Sequence, residues 1–561
     1  MSKSLVAALI AVLFACSAVS AVEFMPVEGV KTGMKGVGRT VFKGTAVEDF
    51  DVEVVGVLKN ARPSSDLILL KLVGGPLEES GVISGMSGSP VYIDGKLVGA
   101  LAYALGTFPK EAVAAAVPIA EVIRSEAPPG VGMEYPRQGS AMDVIPISIP
   151  LVFSGFESQS IRWASEQLGG FGLEPMVGGG GGEGDGAPLV PGSVLSVKLV
   201  EGDLDMSAIG TLTHVDGDNF YGFGHPLLHL GKVELPAAGG YVHAIYKSSM
   251  SSNKIVSATK SVGAVLEDRA SGVSGRLGAR PEMMPIEVTV RLGDLKEQHK
   301  MNVMLHELLT PLLAASTVMS CANNLGARAG ETMVELDADL EVRGHESVKI
   351  RTAYADSFAI RSMTMDIMAV LGYIMGNGFE KVAFDRVRVD LSLTDGRRSA
   401  TIVDGFVNRS EVKPGERVSV TLKLKPSLGM EYSETIDLVI PESARGEMVR
   451  ITVADGLSET QAGISSNPYL WSPNSLDEML QAVRLVRPPT SLVVKMYKPG
   501  RGVSVSGGEM PSVPPSFLSV IGRSQPHRVK QAADSPFYER VTDAGQVLQG
   551  SLTFTVKVEE E

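Results

Sequence analysis

The sequence predicts a mainly β protein of several domains, and three observations carry that expectation. Aromatic residues make up only 6% of the chain while 62 residues are glycine, a composition suited to short strands and tight turns rather than helical bundles. Apolar residues alternate at period two in many short runs bounded by Gly, Pro, Asn and Asp. With 561 residues the chain is too long for one core, and about 150 residues per domain gives three or four units.

Charge and leader narrow the class. There are 51 basic and 64 acidic residues, a net charge of −13 without a basic block, which argues against nucleic acid and against an anionic membrane surface as partners. Lys3 precedes the apolar run Leu5 to Ala15 and the small residues Ser17 to Ala21. This pattern reads as a secretory signal peptide over residues 1–21 that leaves Val22 as the mature start. The expected location is therefore periplasmic or envelope-associated; an uncleaved anchor and a lipid anchor at Cys16 are the alternatives. Cys321 is the one other cysteine, so the mature chain forms no internal disulfide and is no multi-cysteine metal protein. No later run of 18 apolar residues predicts a transmembrane helix.

Residues 22–125 form the first expected unit. Phe50 to Val57 alternates, Asp66 to Leu72 reads as a buried strand, and Val91–Ile93 and Leu97–Val98 flank Asp94-Gly95, a favoured two-residue hairpin turn. Pro109 to Arg124 has helical spacing through Val113, Val117, Ala120 and Ile123, interrupted by Pro118. Residues 126–190 read as linker or insertion, ending in the glycine tract Gly178 to Gly186. Residues 191–395 follow: strands at Ser193–Val200 and Ile209–Thr213, a turn at Asp216–Asn219, a hairpin ending at His225, a loop-rich stretch Ala264–Gly278, and helices at Glu307–Ala322 and Met363–Gly376. Strands at short spacing over 396–460 suggest a β-sandwich. Residues 461–561, with a helix at Ser475–Val486 and strands at Ser491–Met496 and Ser551–Val558, read as a small α+β accessory region.

The chemistry centres on Ser84-Gly85-Met86-Ser87-Gly88-Ser89-Pro90. Gly85 and Gly88 permit positive φ and close backbone approach, so amide N–H groups beside a serine hydroxyl can converge on an oxyanion. An ordinary Gly/Ser turn leading into a strand is the plain alternative. A nucleophilic serine needs a base, and His225, after a strand and a Gly-x-Gly turn, is the informative histidine of eight. His229 lies four residues on, the spacing of a zinc pair on one helical face if Pro226 opens a helix, but no third ligand has a recognisable spacing. No metal or cofactor is expected.

Gly85-Met86-Ser87-Gly88-Ser89-Pro90 with Val91-Tyr92-Ile93-Asp94-Gly95-Lys96 resembles the serine motif of the SpoIVB-type sporulation peptidases. Gly210 to Thr213 through Tyr221-Gly222-Phe223-Gly224-His225 resembles the segment carrying their catalytic histidine. The resemblance implies a trypsin-like β-barrel peptidase domain, here in permuted order because Ser87 precedes His225. It implies a serine endopeptidase with Ser87 as nucleophile, His225 as general base, and the N–H groups of Gly85 and Ser87 as oxyanion hole. Its substrate would be protein or peptide, including its own chain. The family's acid has no counterpart at Val73-Gly74-Gly75; Asp66 is the candidate in its place, with Asp216 and Asp218 behind it. The competing expectation is a catalytically inactive envelope scaffold or binding protein that keeps the fold.

Overall fold

The computed structural model describes residues 22–62, 65–106, 111–124, 144–179, 184–326, 331–467, 472–505, 508–510, 513–514, 516, 519–520 and 529–560. The expected signal peptide and Cys16 lie outside them. The chain divides into two compact units: residues up to Val152 with Gly169–Lys198 and Ser207–Pro281, and Phe153–Leu168 with Leu199–Met206 and Glu282–Glu561.

The first unit is built from sixteen strands: β1 (Lys35–Thr40), β2 (Glu48–Arg62), β3 (Ser65–Val73), β4 (Ile83–Ser84), β5 (Pro90–Ile93), β6 (Lys96–Leu105), β7 (Val113–Pro118), β8 (Val144–Pro146), β9 (Ile149–Ser154), β10 (Leu173–Val177), β11 (Val194–Gly202), β12 (Asp205–Asp216), β13 (Asn219–Gly222), β14 (Gly231–Tyr246), β15 (Ser252–Arg269) and β16 (Gly272–Leu277), with β9, β11 and β12 each partly outside it. Strands β5-β1-β2-β3-β7-β6 pair in that order and β6 returns to β5, closing a six-stranded barrel. The path β12-β13-β16-β15-β14-β11 likewise closes through a β11–β12 pairing. Closure removes free edges, and two six-stranded rings are what the trypsin-like expectation requires.

Two readings of local sequence are corrected. The run 113–118 is strand β7, not helix, paired with β3 and β6. Its alanines are buried on both faces: Ala114 and Ala116 join one apolar cluster, Ala115 and Val117 another. Small side chains fill a doubly buried wall, and pairing overrides the helical spacing; among the described residues of this run only Ile119–Val122, after Pro118, forms a helical turn. The stretch 264–278 is the end of β15 and all of β16 rather than loop. Its glycines serve close packing: a Cβ on Gly275 would fall 2.2 Å from the Ala264 carbonyl oxygen and 2.4 Å from the Phe220 ring.

In the second unit the hairpin Met283–Leu292/Leu295–Met304 pairs in parallel with Phe384–Asp395, which continues to Thr332–Val342 and Val348–Asp356. Helices span Ser158–Leu168, Leu309–Gly326 and Ala359–Met375. A sandwich does form, but it is larger than 396–460. Its four-stranded sheet is Tyr432–Val439, Arg417–Pro426, Ser399–Val407 and Val547–Gln549; its six-stranded sheet runs through Glu411–Val412, Ser551–Val558, Met448–Asp455 and Ser491–Val505. Ile402, Val420, Leu438, Val449, Val494 and Val556 share one core, so the expected accessory region is half of the sandwich.

Candidate active site

The serine turn bridges β4 and β5. Gly85 and Gly88 have φ of +88° and +94°, the left-handed region that only glycine enters without cost. A Cβ on Gly88 would lie 2.0 Å from the Thr211 carbonyl oxygen and 2.5 Å from the Phe223 nitrogen. Within the turn, Ser89 Oγ donates to the Met86 carbonyl at 2.7 Å, giving that serine a structural job. Gly88 N–H donates to the Leu101 carbonyl and Leu101 N–H to the Ser89 carbonyl, at 2.6 and 2.9 Å.

Three hydrogen bonds tie this turn, from the first barrel, to β12 of the second. Thr211 N–H donates to the Ser87 carbonyl at 2.7 Å. Thr211 Oγ1 donates to the Gly85 carbonyl at 2.9 Å and Thr213 Oγ1 to the Gly88 carbonyl at 2.7 Å. Strand β13 pairs with β12 and delivers the chain to His225. Phe223 N–H returns to the Thr211 carbonyl at 3.3 Å, and Gly224 packs so closely under Leu101 that its Cβ would stand 3.0 Å from that carbonyl oxygen. The serine turn and the histidine loop therefore meet at one junction.

At that junction Ser87 and His225 are 0% and 2% exposed, and Ser87 Oγ has no hydrogen-bond partner. His225 Nδ1 lies 2.8 Å from the Pro226 carbonyl oxygen. A carbonyl can only accept, so Nδ1 is the donor in this contact. The ring meets Phe223 edge-on at 6.5 Å between centroids and Tyr103 at 6.3 Å. Gly85 N–H is spent on the Ser148 carbonyl at 3.2 Å, so of the two expected oxyanion donors it is already engaged.

None of the candidate acids Asp66, Asp216 and Asp218 is hydrogen-bonded or ion-paired to His225 among the described residues. Asp66 accepts from Lys59 Nζ at 2.7 Å and Asn60 N–H at 2.9 Å; the Lys59 ammonium, then the Asn60 N–H, hold its carboxyl below the usual range. Asp216 pairs across the β12–β13 turn with Asn219. Residues 226–230 form loop rather than helix, so His225 and His229 share no helical face.

Two residues at the junction carry little or no local sequence signal. Lys254 is fully buried and donates to Thr40 Oγ1 at 2.6 Å; its Cδ would lie 3.5 Å from a Cβ on Gly85. Burial without a carboxylate pulls its ammonium down to about 7. Asp268, also buried, accepts from the loop that follows His225. A lysine in phase with Val256 on the apolar face of β15 is the one hint the sequence offers for the first.

No helix among the described residues is long and apolar enough to cross a membrane. No curated protein and no solved structure matches the chain. Residues 17–115, which contain the serine turn and end before the histidine loop, match the family model for the SpoIVB peptidase S55, so over that segment the chain is similar to the SpoIVB-type peptidases.

Proposed function

We propose that the chain is an exported serine endopeptidase of the cell envelope, with Ser87 as nucleophile and His225 as general base. The observation that carries the reading is the junction itself: a glycine turn bearing a buried, unpartnered Ser87 hydroxyl is hydrogen-bonded through Thr211 and Thr213 to β12, whose hairpin with β13 leads to His225. With Nδ1–H held by the Pro226 carbonyl, Nε2 takes the proton as Ser87 Oγ attacks the scissile carbonyl, then returns it to the leaving amine. Water repeats the cycle to release the acyl group. Ser87 N–H, which takes no partner among the described residues, is the donor closest at hand for the oxyanion; one such donor is worth about 3 kcal/mol in the transition state. The substrate is protein or peptide, the chain itself included.

A second reading, an inactive envelope scaffold, draws on the near-complete burial of both residues and the engagement of Gly85 N–H by Ser148. A fluorophosphonate probe separates the two. The peptidase labels in wild type and not in Ser87→Ala, and labels at least tenfold more slowly in His225→Ala. Wild type that stays unlabelled beside a reactive control protease supports the scaffold, and equal labelling of Ser87→Ala points to another nucleophile.

A further inference from the structure

The loop after His225 is held in a conformation its residues do not choose. Within it His229 has φ +60°, a left-handed value that costs a non-glycine residue on the order of 1 kcal/mol or more. Such a conformation persists only where its surroundings over-determine it, and here one buried side chain takes three of the loop's N–H groups. Asp268, at the end of β15, is 2% exposed. Its Oδ1 accepts from Leu227 N–H at 2.8 Å; its Oδ2 accepts from Leu228 N–H at 2.7 Å and from Leu230 N–H at 3.1 Å. Three of the backbone donors that follow Pro226 thus converge on one carboxylate from a distant strand.

We propose that Asp268 is a positioning residue for His225: by clamping residues 227–230 it fixes the Pro226 carbonyl that holds Nδ1–H, and so supplies indirectly the orientation that a triad carboxylate gives by direct contact. The assignment rests on His225 being the base. It accounts for the absence of any acid among Val73-Gly74-Gly75, and for the retention of a carboxylate at a place where burial disfavours its charge. The geometry is specific to a carboxylate. Asparagine would offer one acceptor oxygen to three donors and turn an NH2 group toward at least one N–H, so the loop would have to shift and the Pro226 carbonyl with it.

Asp268→Asn, Asp268→Ser and Asp268→Glu, made in the full chain, test this by the pH profile of fluorophosphonate labelling, with His225 ring C2 hydrogen exchange measured by mass spectrometry alongside. Each folded variant is expected to label at least tenfold more slowly than wild type, with the profile midpoint displaced by half a pH unit or more and ring exchange at least threefold faster. A purely structural acid lowers the melting temperature and leaves the midpoint in place. An unchanged midpoint in every variant that folds overturns the proposal, as does failure of all three to fold. If wild type itself is not labelled, the peptidase reading fails and ring exchange alone decides: acceleration in the variants upholds the positioning of His225 by Asp268, and an unchanged ring overturns it.

Discussion

Replacing Lys254 by methionine should make the first unit more stable at neutral pH, an unusual direction for a fully buried site. The unfolded chain titrates this amine near 10.5, the folded one near 7. Between those values the unfolded state binds more protons, so the lysine's penalty is absent above about pH 10.5, grows as pH falls, and is complete below about pH 7. At 1.36 kcal/mol per unit the full penalty is about 5 kcal/mol and that at pH 8 about 3 kcal/mol. Methionine matches the lysine stem in volume but abandons the hydrogen bond to Thr40, a loss of about 1 kcal/mol. The net expectation is a gain of about 4 kcal/mol at pH 6 and about 2 kcal/mol at pH 8, with a small loss near pH 10.5. Hydrogen exchange of β14 and β15 peptides through a urea series, variant against wild type at each pH, cancels intrinsic exchange rates. A difference that does not change with pH would refute the reasoning, because the lysine would then be equally charged in both states.

Gly88→Ala should cost on the order of 4 kcal/mol or more and abolish labelling of Ser87, since its Cβ meets main chain on two sides and φ is +94°; circular dichroism and labelling together check it. Asp455, 2% exposed, caps the helix Gly456–Ser466 through Leu457 and Ser458 N–H and also holds Gly550 N–H. Asp455→Ala should therefore destabilise the sandwich by about 3 kcal/mol in urea. Cys321 is fully buried and its thiol is pushed up to about 12, so native protein should resist iodoacetamide at pH 8 and react once unfolded.

Much of the fold was legible because its signals are local. Asp94-Gly95 forms the expected turn with φ of +52° and +76°, and the terminal strand Ser551–Val558 has the bounds its alternation implies. What failed depends on partners far away in sequence. Ala114 to Val117 lies inside a barrel wall only because β3 and β6 flank it, and the two sheets of the sandwich pair residues near 400 and 450 with residues near 550. At the candidate site the short motifs around Ser87 and His225 stand out in the sequence, whereas Asp268 does not. It meets Leu227 across 41 positions, and nothing in Leu266-Glu267-Asp268-Arg269 distinguishes a buried carboxylate from a solvated one.

Several features that cost stability in the first unit collect at the junction of the serine turn and the histidine loop. Lys254 is buried there without a counter-charge, Phe223 and His229 occupy left-handed backbone, Ser87 Oγ is buried without a partner, and Asp268 keeps a carboxylate in the interior. A turn kept only for architecture could be stabilised by simple changes at several of these positions, with methionine for Lys254 the plainest example. Their coincidence at one place favours a junction shaped by chemistry over one shaped by packing. The comparison that separates these causes is within one variant: if Lys254→Met gains stability and labels Ser87 as fast as wild type, the buried lysine is dispensable to the chemistry. If it gains stability and labels at least tenfold more slowly, the lysine's cost is tied to what Ser87 does.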